Sequence, residues 1–285
     1  MAKMELASVP YEGCFSLSDT LKSGQLFHWE HFEHDDIPGF AGCIGNRPAS
    51  WISQSETGEV LAFERDRELV SRYFGLDQRL GEIHATFPQD DSVLAEAIAY
   101  CPGIRVARQP LWECLATFIT SSLKQVAHIR GISMTLRERF GEPHSIGDRI
   151  FYAYPEPAAL AAAGEDALRA CALGYRAKSL HRAAVAVAEG TIDLASIESN
   201  PDSAKARADL IELHGVGEKI ANCALLFGAG KWDSFPIDVW IERILRQHYR
   251  KRVRGPKLQA WAQKHFGPNA GYAQQYLFHF ARKTL

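Results

Sequence analysis

The sequence predicts an α+β fold, with a small N-terminal antiparallel β-sheet lobe over residues 1–95 and a larger all-helical region over residues 96–285. The first hundred residues contain short strand-like runs separated by turn-forming residues, without long helical patterns between them. From about residue 92 the apolar residues recur at helical spacing instead. A very short glycine-containing connection between two of the predicted helices is the third observation, and the functional interpretation rests on it.

Each predicted strand is a short run bounded by Gly, Pro, Asn or Ser. The runs are Leu26-Phe-His-Trp-Glu-His-Phe32, Phe40-Ala-Gly-Cys-Ile44, Ser50-Trp-Ile-Ser53 and Glu59-Val-Leu-Ala-Phe63. His28, His31 and His34 lie three apart, a spacing that can bind a metal ion. In this acidic strand-and-loop context, however, exposed polar residues are the favoured interpretation, so we predict no metal site here.

Apolar periodicity places the helices. The predicted helical segments are residues 111–123, 126–140, an alanine-rich segment that ends near residue 189, 206–213, 220–227 and 237–245. Residues 141–157 are punctuated by glycine and proline, and we expect them to form a connection.

The composition excludes several classes of protein. Apolar types make up 46% of the chain and charged types 23%, which is typical of a globular domain and excludes disorder. No apolar run approaches the roughly 18 residues of a spanning helix, and the N-terminus lacks the apolar core of a signal peptide. Six cysteines without a CxxC pair disfavour a zinc ribbon, an iron–sulfur loop or a disulfide scaffold. We therefore expect a reducing compartment and no membrane partner.

The net charge of −2 conceals a strong asymmetry along the chain. Residues 1–100 carry 7 basic and 17 acidic side chains, whereas residues 205–285 carry 14 basic and 6 acidic ones. A basic C-terminal third favours a surface that binds a polyanion such as nucleic acid. The alternative is an ordinary solvated surface, which the charge count alone leaves open.

The most informative stretch is Leu213-His-Gly-Val-Gly-Glu-Lys-Ile-Ala-Asn-Cys223, between two amphipathic helices. Glycine permits backbone angles that are closed to other residues, and it lets successive amides point outward at the start of the next helix. Such a helix N-terminus attracts phosphate. We predict a helix–hairpin–helix motif at about residues 205–228, in which Gly215 and Gly217 hold DNA backbone without reading bases. A tight αα-turn without a ligand is the alternative.

Lys219 falls in the first turn of the second helix of this motif, where the helix dipole disfavours a cation. The same dipole and partial desolvation favour the neutral amine, which is the nucleophilic form. Asp238 follows nineteen residues later, in Phe235-Pro-Ile-Asp-Val239, at the start of the third helix. It is either an N-cap or a carboxylate that faces Lys219, and both roles can coexist.

These motifs resemble the catalytic core of the helix–hairpin–helix–Gly/Pro/Asp DNA glycosylases, and most closely the 8-oxoguanine DNA glycosylase/AP lyase family. Four further segments resemble that family and extend the similarity over most of the chain. They are Ser23-Gly-Gln-Leu-Phe-His-Trp, Pro110-Leu-Trp-Glu-Cys-Leu-Ala-Thr-Phe-Ile-Thr-Ser-Ser, Leu173-Gly-Tyr-Arg-Ala and Gly271-Tyr-Ala-Gln-Gln-Tyr-Leu-Phe.

The resemblance implies a function and roles for individual residues. Lys219 would attack C1′ of the deoxyribose and form a Schiff base, and Asp238 would stabilise the cationic sugar. Gln274 and Phe278 have i, i+4 spacing, and so do Lys219 and Cys223, so each pair lies on one face of its helix. A flipped purine would lie between these two helix faces. The residues that the resemblance assigns to the base are Phe278 for stacking, Cys223 for packing on the other side, Gln274 for the base edge and the Gly24 carbonyl for N7–H.

The resemblance also implies DNA contacts, with two departures from the family pattern. Tyr175 would wedge into the base stack, and Arg176 would lie near phosphate. Leu123 stands where the family places an asparagine that fills the gap left by the flipped base, and His128 stands where it places an arginine that reads the opposite cytosine. These departures predict a flattened preference for the opposite base. Trp240 replaces a histidine, so the phosphate contact expected there is lost or remade by stacking.

We therefore expect a bifunctional glycosylase that removes 8-oxoguanine from duplex DNA and needs no redox cofactor or catalytic metal. The resemblance allows a structural monovalent cation at residues 213–217. We expect a monomer, located with the DNA in the nucleoid or cytoplasm of a prokaryote or in the nucleus of a eukaryote. Two rivals remain open. One is a monofunctional alkylbase glycosylase, against which Lys219 argues, and the other is a non-catalytic DNA-binding module.

Overall fold

The computed structural model describes residues 4–121, 125–253 and 255–284, and it confirms the predicted fold class. An antiparallel five-stranded sheet forms the N-terminal lobe, in the order β1-β5-β4-β3-β2. The strands are β1 (Leu6–Ser8), β2 (Glu30–His34), β3 (Ile37–Cys43), β4 (Ala49–Gln54) and β5 (Val60–Phe63). Trp51 and Ile52 of the central strand β4 are fully buried, so both faces of the sheet are covered.

The first predicted strand begins later than expected. Pairing with β3 starts at Glu30, whereas the segment from Leu26 to Trp29 is buried without belonging to a strand. Phe27 packs in the core of the helical region, while Leu26 and Trp29 pack in the core of the sheet lobe. This segment therefore links the two lobes, and its apolar residues serve both cores instead of one face of a sheet.

His28 in the same segment is buried, which corrects the expectation of an exposed polar residue. Its Nδ1 lies 3.3 Å from Oε1 of Glu113, which is also paired with Arg137 and accepts a hydrogen bond from the Gly45 amide at 2.8 Å. Burial, with the nearby charge of Arg137 as a smaller cause, lowers the pKa of His28 well below its ordinary value. The described residues contain no cluster of His, Cys, Asp or Glu that could hold a metal ion.

Four short helices accompany the sheet, and a bundle of ten helices follows them in the described ranges. The first four are α1 (Leu17–Lys22), α2 (Arg67–Tyr73), α3 (Leu80–Ala85) and α4 (Ser92–Tyr100). The bundle consists of α5 (Leu111–Thr120), α6 (Val126–Phe140), α7 (Pro157–Leu168), α8 (Arg176–Ala188), α9 (Leu194–Ser199), α10 (Ser203–Ile211), α11 (Glu218–Phe227), α12 (Val239–Gln247), α13 (Pro256–Phe266) and α14 (Ala270–Thr284). None of the helices described is both long and apolar enough to cross a membrane.

The bundle is built around α5 and α11, which pack against each other. Every residue of α5 from Glu113 to Thr120 is buried, and so is every residue of α11 from Ile220 to Phe227. Helix α4 straddles the predicted boundary at residue 95 and packs against α14. These contacts bring the N-terminal lobe and the C-terminal helix together, next to the hairpin before α11.

The region expected to be all-helical also contains a two-stranded hairpin, β6 (Pro143–Ile146) and β7 (Arg149–Tyr152). Its turn is made by Gly147, at φ +63°, and Asp148, a pairing suited to a two-residue hairpin loop. Phe151 is buried against the core of the sheet lobe that contains Trp51. The glycines and prolines of residues 141–157 predicted a connection, and this prediction was wrong for the eight residues of the two strands.

Candidate active site

The predicted helix–hairpin–helix consists of α10, α11 and the residues 212–217 between them. Gly215 has a φ of +83°, and a Cβ there would lie 2.2 Å from Ser179 Oγ, so this position requires glycine on both counts. Gly217 has an extended φ of −108°, which other residues adopt as well. No described atom lies within 4 Å of the position that a Cβ at Gly217 would take, so the space before the first turn of α11 is open.

Lys219 lies in that first turn and points into a cleft. Its Nζ donates to Ser121 Oγ at 3.3 Å and lies 4.8 Å from the ring centroid of Phe118. Cys223, one turn further along α11, is buried beside it, and burial raises the pKa of the Cys223 thiol to about 11 although the charge of Lys219 opposes this. The sulfur is therefore a neutral thiol at neutral pH and presents an apolar surface to the cleft.

Asp238 is the N-cap of α12, which confirms one of its two predicted roles. Its Oδ1 accepts hydrogen bonds from the amides of Trp240 at 3.0 Å and Ile241 at 2.9 Å. Burial raises the pKa of Asp238, while these hydrogen bonds and the positive charges of Lys219 and Arg282 hold it down. The cap fixes the carboxylate at the wall of the cleft that contains Lys219, so the two roles are geometrically compatible.

The cleft has a volume of about 860 Å³, room enough for a nucleoside. It lies between the C-terminus of α5, the first turns of α6 and α12, and the inward faces of α11 and α14. It brings together seven of the predicted site residues, Gly24, Lys219, Cys223, Asp238, Trp240, Gln274 and Phe278. They come from four separate parts of the chain.

Two of these residues lie one turn apart on α14. Gln274 is 4% exposed, and its Oε1 has no hydrogen-bond partner among the described residues. Phe278 is half-buried at the mouth of the cleft, and Gly24 lies against it, since a Cβ at Gly24 would be 2.9 Å from Phe278 Cε1. Gly24 has a φ of +81°, so both its conformation and its contact with the ring require glycine.

The residues predicted to contact DNA beyond the flipped base lie in different places. Tyr175, just before α8, is 62% exposed, as a wedge into a base stack would be. His128 is exposed on α6 but is not among the residues that line the cleft. Leu123 lies outside the described residues. Trp240 lines the cleft and is half-buried, with the guanidinium of Arg243 4.9 Å from its ring centroid.

Arg176 departs from the expectation of a phosphate contact. It is only 6% exposed, its Nη1 donates to the Leu173 carbonyl at 3.5 Å, and its guanidinium lies 4.3 Å from the ring centroid of Tyr175. An arginine that binds a DNA phosphate has to be accessible at the protein surface. Arg176 instead supports the exposed ring of Tyr175 from below by a cation–π contact.

Helix α14 contributes two cleft-lining residues that the sequence did not predict. Arg282 lies four residues beyond Phe278 on α14, and its guanidinium is 5.3 Å from the Phe278 ring centroid. The i, i+4 spacing that paired Gln274 with Phe278 extends to Arg282 and could have found it. Gln275 is the other, and no pattern in the sequence distinguishes it from a core residue.

Similarity to known proteins identifies the family of this chain. A family model described as 8-oxoguanine DNA glycosylase, N-terminal domain, matches residues 8–115. A probable N-glycosylase/DNA lyase of Methanothermobacter thermautotrophicus is 29% identical over 240 residues, which are 76% of this chain and 75% of that protein.

Two solved structures each match with a TM-score of 0.86. One is the 8-oxoguanine glycosylase/lyase of Clostridium acetobutylicum in complex with double-stranded DNA containing cytosine opposite 8-oxoG. It is 25% identical, and the match covers 99% of this chain and 99% of that one. The other is MBOgg1 with a low-affinity DNA ligand, which is 31% identical over 98% of this chain and 99% of that one. The chain belongs to the 8-oxoguanine DNA glycosylase family.

Proposed function

We propose that this protein excises 8-oxoguanine from duplex DNA and then cleaves the strand at the resulting abasic site. One observation carries the proposal. An amine, Lys219, and a capped carboxylate, Asp238, line the same cleft as Gln274 and Phe278, which can enclose a purine. A site that only gripped phosphate would need none of these four side chains.

The chemistry follows from the positions of the amine and the carboxylate. As the bond between C1′ and N9 of the base lengthens, positive charge develops on the sugar, and the Asp238 carboxylate stabilises it. The neutral amine of Lys219 bonds to C1′ as the base leaves with the electron pair of the C1′–N9 bond. The base takes up the proton that the new ammonium group on C1′ loses. Opening of the sugar gives a Schiff base between Lys219 and C1′. Loss of a C2′ proton then expels the 3′ phosphate.

Recognition of the base uses the rest of the cleft. Phe278 stacks on one face of the flipped purine, the neutral thiol of Cys223 packs on the other, and the unpartnered Oε1 of Gln274 accepts a hydrogen bond from the base edge. The carbonyl of Gly24 accepts a hydrogen bond from N7–H, which 8-oxoguanine has and guanine lacks. One buried hydrogen bond of this kind supplies on the order of 1 kcal/mol, and more when its absence leaves a buried acceptor unpaired.

The hairpin holds the DNA backbone. The open space at Gly217 admits a phosphate to the amides of the first turn of α11, without a side chain in the way. A structural monovalent cation at residues 213–217, which the family resemblance allows, is part of the proposal. The protein would act as a monomer wherever the genome lies, in a nucleoid or a nucleus.

Trapping with borohydride tests the mechanism, since it reduces a Schiff base to a stable bond. Wild-type protein incubated with an 8-oxoguanine duplex and borohydride should become covalently attached to DNA, and Lys219→Gln should not. Lys205→Gln, which removes an exposed lysine of α10 in the same motif, is the matched control and should trap normally. Release of the base without an adduct would favour the monofunctional alkylbase class, and neither release nor adduct would favour a binding module.

A further inference from the structure

The loop that carries Gly24 is held by hydrogen bonds on both sides of the glycine. On one side, Gln275 Nε2 of α14 donates to the Ser23 carbonyl at 3.0 Å. On the other side, Gln109 Nε2 donates to the Gln25 carbonyl at 3.0 Å. All four of these flanking residues are buried. The backbone is therefore fixed immediately before and immediately after Gly24.

Gly24 needs such support because it has no side chain to fix it. Glycine is the residue with the widest choice of backbone angles, and at a φ of +81° its conformation is not enforced by a Cβ. A hydrogen bond from N7–H weakens steeply when its N–H···O angle falls below about 120°, so the Gly24 oxygen has to stay near the line of the N–H bond. The direction of the Gly24 carbonyl therefore depends on how firmly the neighbouring peptides are held.

Of the two glutamines that hold the loop, Gln275 and Gln109, only Gln275 belongs to α14, the helix that carries Gln274 and Phe278. It is 2% exposed, lines the cleft, and lies next to Gln274 and one turn before Phe278. The bond from Gln275 to Ser23 joins residues 252 positions apart, so it couples the helix that stacks and reads the base to the loop that reads N7–H.

We infer that Gln275 is a positioning residue for the discrimination of 8-oxoguanine from guanine, acting through Ser23 on the carbonyl of Gly24. This inference rests on the proposed function. Gln275 does not have to touch the base. Its loss should leave the amine and the carboxylate in place, because Lys219 and Asp238 are held by α11 and α12.

The test replaces Gln275 by methionine, which has a similar length and no donor. In single-turnover assays, excision of 8-oxoguanine by Gln275→Met should fall about 10- to 100-fold, the order expected for a mispositioned group. Cleavage of a preformed abasic site, which needs no base recognition, should stay within about twofold of wild type. In the inactive Lys219→Gln background, the ratio of affinities for 8-oxoguanine and guanine duplexes should fall about fivefold.

Two further variants complete the experiment. Gln259→Met alters a buried glutamine of α13 outside the cleft and should change neither reaction. Should Gln275→Met fail to fold, Gln275→Asn keeps an amide but is one methylene too short to reach Ser23, and it should show the same selective loss. Equal losses in both reactions, or an unchanged affinity ratio, would overturn the inference. Wild-type protein that cannot release 8-oxoguanine would instead overturn the proposed function.

Discussion

The substitution Asp238→Asn separates the structural role of this residue from its chemical role. Asparagine keeps an oxygen that can accept from the amides of Trp240 and Ile241, and it is as good an N-cap as aspartate. The free energy of unfolding should therefore change by less than about 1 kcal/mol. Asp238→Ala removes the cap as well and should cost about 0.5–2 kcal/mol.

The expected effect of Asp238→Asn on excision is much larger. A carboxylate about 4 Å from a developing positive charge contributes about 4 kcal/mol at an effective dielectric constant of about 20, which suits a partly buried wall of a cleft. Because about 1.4 kcal/mol corresponds to a factor of ten in rate, excision of 8-oxoguanine should slow about a thousandfold. The burial that raises the pKa of Asp238 is the same burial that keeps water from weakening this interaction.

Single-turnover excision and denaturant unfolding should be measured on the same preparations. Asp193→Asn is a matched control, since Asp193 caps α9 through the amides of Ala195 at 3.0 Å and Ser196 at 3.1 Å. Asp193 is not among the residues that line the cleft. This control should change neither quantity. Excision by Asp238→Asn within about tenfold of wild type, or a loss of unfolding free energy above about 1 kcal/mol, would refute the reasoning.

Three further predictions concern the same cleft. Arg282→Met removes a positive charge that holds down the pKa of Asp238, so this pKa should rise further. Because the ionised carboxylate is the active form, the acidic limb of the pH–rate profile for excision should move to higher pH, and an unmoved limb or a shift to lower pH would contradict this. Phe278→Ala removes a base-stacking partner, worth about 1–3 kcal/mol, so excision should fall about 10- to 100-fold while cleavage of a preformed abasic site persists. Equal loss of both reactions would contradict it. Leu123 and His128 predict a flattened preference for the opposite base; excision rates against the four bases should test it, and an advantage of cytosine of about a hundredfold or more would contradict it.

The sequence was sufficient for the parts of the fold and site that are encoded locally. Helical periodicity on both sides of Gly215 predicted the helix–hairpin–helix, and the position of Asp238 before an apolar-periodic run predicted its cap. The i, i+4 spacing of Gln274 and Phe278 placed both on one face of α14, and both line the cleft. In each case the relevant neighbours lie within a few residues of one another.

The remaining features depend on contacts between distant segments, which a pattern of nearby residues does not contain. Burial of His28 depends on its contact with Glu113, 85 positions away, and the acidic stretch that follows it, from Glu30 to Asp36, does not reveal that contact. Arg176 is also buried, with its guanidinium against the Tyr175 ring, and no pattern of nearby residues distinguishes it from an exposed arginine. The pairing of Gln275 with Ser23 joins the two ends of the chain.

The reacting groups of the cleft are positioned by local contacts, whereas its base-binding elements depend on contacts between distant segments. Lys219 and Asp238 are placed by the first turns of α11 and α12, which form from their own sequences and pack together in one helical core. In the proposed function, recognition of the base uses α14 together with the loop at Gly24, and these two elements come together only after the two ends of the chain have met. A substitution that disturbs the contact between α14 and the Gly24 loop should therefore lower the selectivity for the base before it lowers the rate of the reaction at the sugar. A protein with this arrangement can change its substrate range through residues of α14 and the Gly24 loop while the amine and the carboxylate stay unchanged.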